Sequence, residues 1–137
     1  MSAAAAQDRV ALCDACHGPG GVSQTTGTPS IAGQPKLFLE TQLVLFREEI
    51  RKSPPMLAAD IGLTDKEITR LADHYAAQPA RPAADGPADA AQAKQGTAFA
   101  QKQHCGSCHL PDYRGQKQIP RLAGQREEYL VESMLAY

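Results

Sequence analysis

The stretch CDACH at residues 13–17 decides the fold of this chain, because its spacing returns as CGSCH at residues 105–109. Together the two pentapeptides contain all four cysteines of the sequence. The pattern C-x-x-C-H is the attachment sequence of a c-type haem. On a helical turn, residues at i, i+3 and i+4 share a face, so two thiols can bond the porphyrin vinyl groups while the histidine reaches the iron. The sequence therefore predicts two covalently bound haem c groups.

The pattern also assigns roles and limits the alternatives. The predicted thioether anchors are Cys13, Cys16, Cys105 and Cys108, and the predicted proximal iron ligands are His17 and His109. A thioredoxin-like redox pair needs a βαβ context, which neither motif has. A zinc site usually joins two C-x-x-C pairs separated by roughly 15 to 20 residues. Here 89 positions separate the two pairs, and zinc gives no reason for a histidine behind both.

Composition excludes several classes of protein. The 137 residues carry a formal charge of −1, and 42% of them are apolar. This balance argues against binding to nucleic acid or to a charged membrane surface. No apolar run reaches the roughly 18 residues that a transmembrane helix needs. Two domains within this length would be small, and a haem would supply core that the side chains lack.

The N-terminal residues bear on localisation. Residues 1–7 lack the basic start and the apolar middle of a signal peptide. Covalent haem attachment normally happens outside the cytoplasm, so we expect a removed leader, an added Met1 and a periplasmic location. A native N-terminus at Met1 is the alternative.

Hydrophobic spacing predicts helices in the first half. Residues 2–16 are alanine-rich and lead into the first motif, whereas glycine, proline and threonine predict a loop over residues 18–34. Residues 36–51 form the clearest amphipathic pattern. The predicted buried stripe of that helix is Leu39, Leu43, Phe46 and Ile50.

A second helix is predicted before the middle of the chain. The prolines within residues 53–55 are expected to end the preceding helix and to leave Met56 in a loop. Thr64 and Glu67 then have the spacing of a capping box. The predicted buried side of the helix that follows is Ile68, Leu71, Ala72 and Tyr75.

The remaining chain repeats this plan. Residues 79–89 are proline-rich and are predicted to be a semi-stiff linker between a first domain at 1–78 and a second at 90–137. Residues 90–104 form a second alanine-rich helix that leads into the second motif, and another amphipathic helix begins at residue 126.

Two further blocks make the repeat explicit. PSIAGQ at residues 29–34 matches PRLAGQ at residues 120–125 at an offset of 91, and the cysteines match at an offset of 92. Two copies of one plan, each opening with C-x-x-C-H, indicate a tandem duplication.

With these features the chain resembles the dihaem class I cytochromes c, specifically the cytochrome c4 group. The resemblance rests on the paired C-x-x-C-H motifs, on the two Pro-x-(Ile/Leu)-Ala-Gly-Gln blocks and on Met56 ahead of residues 62–68. More distantly, the chain is similar to the dihaem subunit of flavocytochrome c sulfide dehydrogenase. The resemblance implies an all-α fold of two tandem class I cytochrome c domains, and a periplasmic electron carrier that delivers to a terminal oxidase. It also implies that the carbonyl groups of Pro29 and Pro120 orient the two ligand histidines.

Met56 is the predicted distal ligand of the first haem. It is the only internal methionine of the first half, and it follows a proline pair directly. A thioether is a soft, neutral donor that favours reduced iron, so ligation by histidine and methionine raises the reduction potential. Filling a gap in the core is the alternative role for this side chain.

The sixth ligand of the second haem is expected beyond Tyr137. The repeat places the counterpart of Met56 near position 147, whereas Met134 aligns with the amphipathic helix of the first half and is expected to pack. We therefore expect the second domain to be truncated at its C-terminus in this chain.

Two functions stay open at this point. A shuttle would carry single electrons between respiratory partners, such as a membrane oxidase or a dehydrogenase. The alternative is the dihaem electron-transfer subunit of a sulfur-oxidising or other periplasmic dehydrogenase complex. No acid–base pair is legible, so the chain is not expected to be an enzyme by itself. Peripheral association with a membrane stays open.

Overall fold

The computed structural model describes residues 3–60, 62–82, 86 and 88–136, without the side chains of residues 3–8 and 60. Within this part the chain forms seven α-helices, a short 3-10 helix at Pro19–Gly21 and no strand. The predicted all-α class is therefore confirmed, while the predicted helix start at residue 2 lies outside the described residues. The helices are α1 (Ala3–His17), α2 (Lys36–Arg47), α3 (Pro54–Asp60), α4 (Asp65–Ala76), α5 (Ala90–Lys102), α6 (Cys105–His109) and α7 (Glu127–Leu135).

The hydrophobic core lies in the first half, where α2 packs on α4 and α1 also contacts α4. The periodic apolar positions of α4 form its centre, as the sequence predicts, because one face of a 3.6-residue helix can be buried while the other stays in water. From α2, Leu39 joins this cluster and Leu43 packs against it. The buried members of the cluster are Leu39, Leu63, Ile68, Leu71, Ala72 and Tyr75.

The end of α2 differs from the prediction. The helix ends at Arg47 rather than at residue 51, and Ile50 is 71% exposed rather than part of the buried stripe. Glu49 has a left-handed φ of 55°, its N–H donates to the carbonyl of Phe46, and the Ile50 N–H donates to that of Leu45. These two bonds form a Schellman motif, which closes a helix at a left-handed residue.

Met56 lies on a helix, so its predicted place in a loop is wrong. Helix α3 begins at Pro54, and its first turn contains both prolines. A proline in the first turn loses no intrahelical hydrogen bond, so Pro54 and Pro55 can begin α3. The prediction that these prolines end α2 is wrong, because that helix already ends at Arg47. Helix α3 packs on α2, and Met56 is half-buried.

Helix α4 begins with the predicted capping box. The backbone N–H of Thr64 donates to Glu67 Oε2 at 2.8 Å, and the Glu67 N–H donates to Thr64 Oγ1 at 3.3 Å. Two donors that would otherwise lack partners at the helix start are thereby satisfied.

In the second half, the predicted continuous helix over residues 90–104 is wrong. Helix α5 ends at Lys102, and His104 adopts a left-handed φ of 57° before α6 begins at Cys105. The second motif therefore lies on a short helix of its own, whereas the first lies at the end of α1. Part of the predicted linker, residues 83–85 and 87, lies outside the described residues.

The two halves meet at the repeated loops 29–34 and 120–125. Gln34 contacts the backbone of Arg121, and Gln125 contacts the backbone of Ser30. A further contact joins Arg51 Nη2 to the Tyr129 hydroxyl at 2.9 Å.

Candidate haem-binding sites

The first site lies at the C-terminal end of α1. Its helical backbone places Cys13, Cys16 and His17 on adjoining positions of one face. Cys13 is half-buried, Cys16 is exposed, and His17 is only 7% exposed. Nδ1 of His17 lies 2.8 Å from the carbonyl oxygen of Pro29. Because a carbonyl oxygen only accepts, the proton resides on Nδ1, and the lone pair of Nε2 is available for a metal.

Burial also favours the protonation state that a metal needs. Desolvation lowers the pKa of His17 below its ordinary value, and the hydrogen bond to Pro29 and the charge of Asp14 oppose this only in part. A neutral imidazole is the form that ligates iron. The environment therefore keeps His17 ready for coordination near neutral pH.

The second site repeats this arrangement on α6. Cys105 is half-buried, Cys108 is exposed, and His109 is half-buried. Nδ1 of His109 lies 2.8 Å from the carbonyl oxygen of Pro120. Both histidines thus have the same tautomer, and both are oriented by the proline that opens their repeat block.

A hydrogen-bond cluster that sequence reasoning missed braces the first site. The Tyr75 hydroxyl donates to Asp14 Oδ1 at 2.8 Å, and Asp14 Oδ2 accepts from the Gly20 N–H at 3.3 Å. Burial and the bond to Asp14 raise the pKa of Tyr75, which keeps the hydroxyl protonated as a donor. The repeat has Gly106 at the position of Asp14, so the second site cannot form this brace. Only the apolar spacing of Tyr75 marked it beforehand, and that spacing indicates burial rather than a hydrogen bond.

Met56 and Met134 differ in how far their side chains are buried. Met56 is half-buried on α3, whereas Met134 is 67% exposed on α7. The predicted packing role of Met134 is therefore wrong, since its side chain faces solvent in this structure.

The donor groups fit a haem better than a bare metal ion. No group of three or more histidine, cysteine, aspartate or glutamate side chains in the described residues could hold a metal ion. A zinc ion takes four ligands, usually from the protein, whereas a porphyrin supplies its own four nitrogens and needs one axial imidazole. Each C-x-x-C-H site offers that imidazole, with two cysteines beside it for covalent attachment.

The chain is similar in sequence to known electron-transfer proteins. A cytochrome c4 from Thiocapsa roseopersicina is 33% identical over 130 residues, which are 90% of this chain and 67% of that protein. The thiosulfate dehydrogenase electron acceptor of Thiomonas intermedia is 32% identical over 144 residues, 98% of this chain and 66% of that protein. The chain thus spans about two thirds of the length of these relatives.

The fold is also similar to solved structures. A cytochrome c4 structure from Acidithiobacillus ferrooxidans matches with a TM-score of 0.83 and 31% identity, covering 91% of this chain and 79% of that one. No family model matches the chain. Among the described residues, no helix has the length and apolar character to cross a membrane.

Proposed function

The chain belongs to the cytochrome c4 family of dihaem electron carriers, and on that premise we propose that it passes single electrons between periplasmic redox proteins, towards a terminal oxidase. It is a two-domain class I cytochrome with two covalently bound haem c groups, and an electron carrier rather than an enzyme. We propose that residues 1–78 form the first domain, residues 79–89 a linker and residues 90–137 the second domain.

One observation supports the proposal above the others. His17 and His109 each follow a C-x-x-C pair directly, and each has its Nδ1 at 2.8 Å from the carbonyl of a repeat proline. In the proposal, Nε2 of each histidine is the proximal ligand, and Met56 is the distal ligand of the first haem. The thioether anchors are Cys13, Cys16, Cys105 and Cys108.

The residues around the sites keep the geometry constant. When bound, the haem iron supplies one-electron chemistry. The carbonyls of Pro29 and Pro120 prevent rotation of the imidazoles. Tyr75 and Asp14 join α4 to the helix that contains the first site. A site that barely changes between oxidation states loses little energy to rearrangement, which suits rapid electron transfer.

Ligand binding and assembly state test this proposal. We expect the first haem of the natively purified, reduced protein to be low-spin and not to bind carbon monoxide rapidly. We also expect the protein to elute by size exclusion without a second kind of chain. Rapid carbon monoxide binding by the first haem, or a stoichiometric partner chain, would contradict a freely diffusing shuttle.

A second candidate function is the electron acceptor of a sulfur-compound dehydrogenase. The likeness to the Thiomonas thiosulfate dehydrogenase electron acceptor favours it, because that relative matches nearly all of this chain. Mixing the oxidised protein with thiosulfate and a purified thiosulfate dehydrogenase tests it. Stoichiometric reduction of both haems on the timescale of turnover would support this candidate, and no reduction would exclude it for that enzyme.

A further inference from the structure

Each of the two repeated loops contains a glutamine whose side chain hydrogen-bonds the backbone of the other loop. Gln34 accepts the Arg121 N–H on its Oε1 at 2.8 Å and donates its Nε2 to the Arg121 carbonyl at 2.9 Å. Gln125 accepts the Ser30 N–H on its Oε1 at 2.8 Å and donates to the Ser30 carbonyl at 2.8 Å. We call these four bonds the glutamine exchange. Each half of the molecule therefore forms hydrogen bonds to the backbone of the other half through a side-chain amide.

The peptide groups that these two glutamines bind also orient the histidines. The carbonyl oxygen of the Pro29–Ser30 peptide accepts a hydrogen bond from His17 Nδ1, and the N–H of the same peptide donates a hydrogen bond to Gln125. The Pro120–Arg121 peptide does the same between His109 and Gln34. A single peptide group thus links each histidine to a glutamine of the opposite half.

Hydrogen bonds in such a chain strengthen one another. A peptide whose N–H is bonded carries more negative charge on its carbonyl oxygen, and each bond in the chain strengthens the next by about 10–30%. A stronger bond at Nδ1 gives the imidazole more anionic character, which makes Nε2 a better donor to iron. A better donor stabilises the oxidised iron and lowers the reduction potential.

Burial at the interface preserves this effect. Gln34 is 5% exposed, and Gln125 is half-buried. A third bond orients the Gln125 amide, since its Oε1 also accepts the Arg126 N–H at 2.9 Å. The Ser30 hydroxyl accepts the Ser23 N–H at 3.0 Å, which fixes the first loop. With little water present, few competing partners can replace the glutamines.

We propose that the glutamine exchange tunes the two haems crosswise. Gln125 is the positioning residue for the first haem, which His17 ligates, and Gln34 is the positioning residue for the second, which His109 ligates. Docking of the two halves then lowers both reduction potentials, so a partner that loosens the interface would raise them. This inference rests on the proposed ligation by the two histidines.

The test replaces each glutamine by an isosteric apolar residue in the haem-loaded protein. In Gln125→Leu, we expect the reduced-to-oxidised ratio of the first haem to rise about threefold at a fixed ambient potential, with the second haem unchanged. That factor corresponds to about 28 mV, since tenfold equals 59 mV for one electron. Gln34→Leu is expected to give the reverse pattern. The control is Gln78→Leu, whose amide donates to the carbonyl of His74 at the end of α4 and which should move neither haem.

Spectroscopy supplies the readout that a general loosening would not give. In the reduced protein, the Nδ1 proton resonance is expected to move upfield for His17 in Gln125→Leu and for His109 in Gln34→Leu. The variants Gln125→Glu and Gln34→Glu keep the acceptor oxygen. In them, the ratio of the opposite haem is expected to fall below that of the unmodified protein, because a carboxylate accepts the peptide N–H more strongly than an amide oxygen does. These variants serve equally if a leucine variant does not fold.

The results separate this inference from the proposed function. Unshifted ratios in variants that keep both haems bound would overturn the crosswise tuning and leave the electron-carrier function intact. A shift in the haem of the same half, or equal shifts in both haems, would also overturn it. An unmodified protein without histidine-ligated haems would instead contradict the proposed function itself.

Discussion

At the scale of single residues, the orientation of one imidazole ring connects the sequence to the chemistry. His17 is buried and donates Nδ1–H to Pro29, so Nε2 is its only free ring nitrogen. Asp14 and Tyr75 fix the helical turn that contains it. The second site has the same imidazole arrangement without the brace. The first haem should therefore have the more rigid surroundings.

Met56→Ala tests the distal ligand. Loss of the thioether should abolish the far-red charge-transfer band of oxidised methionine-ligated iron. It should also lower the potential of the first haem by on the order of 0.1 V, within the roughly 0.8 V that axial ligation spans. Absorption spectra and potentiometric titration measure both. Met134→Ala is the matched control, since that side chain is 67% exposed and should change neither. A band that persists in Met56→Ala would remove Met56 from the coordination sphere.

At the scale of elements, helix ends decide where the functional side chains lie. Helix α2 ends at Arg47 through a left-handed Glu49, and α5 ends before a left-handed His104. Glycine is the usual signal for such an ending, and neither position has one. Apolar spacing therefore predicted α2 to be too long, and alanine content predicted α5 to be too long. The capping box at Thr64 was predictable, because it depends on residues three apart.

Thr64→Ala should lower the free energy of unfolding by about 1 kcal/mol at neutral pH, because it removes the cap of α4. The bond from the Thr64 N–H lowers the pKa of Glu67 below its ordinary 4.5. A carboxylate with a lowered folded-state pKa stabilises the fold above its unfolded pKa, and this contribution disappears as the pH falls through the folded value.

The pH dependence gives the control for this prediction. Glu67→Gln should flatten the acid limb of stability at mildly acidic pH, measured by urea unfolding of the haem-loaded protein. Thr64→Ala should flatten it only in part, since the backbone N–H still bonds Glu67. An acid limb unchanged in Glu67→Gln would show that the capping box does not contribute to the pH dependence.

At the scale of the whole molecule, the interface between the halves could not be read from the sequence. The motifs and their histidines were predictable, since five adjacent residues contain the chemistry. The repeat also drew attention to Gln34 and Gln125 as matching positions. Their partners lie 87 and 95 residues away, and only the folded arrangement of the two loops brings them together.

Ala80 lies close to Gly33 of the first repeated loop, and this contact gives a further prediction. Gly33 has a φ of +66°, and a Cβ added there would lie 2.7 Å from the Cβ of Ala80. Gly33→Ala should therefore destabilise the protein by about 1–2 kcal/mol for the left-handed backbone, and by about 1–3 kcal/mol more for the overlap. Gly62→Ala is the control, since Gly62 has a φ of +76° with nothing within 4 Å of an added Cβ. Equal losses in thermal or urea unfolding would refute the close approach.

The central claim is that each half of a duplicated chain carries its own covalently attached haem. A pyridine haemochrome assay on correctly matured protein measures this directly, with the polypeptide quantified independently. We predict two equivalents of haem per chain, and one equivalent when Cys105 and Cys108 are both replaced by alanine. Fewer than two equivalents in the unmodified protein, or two in that double variant, would contradict the account.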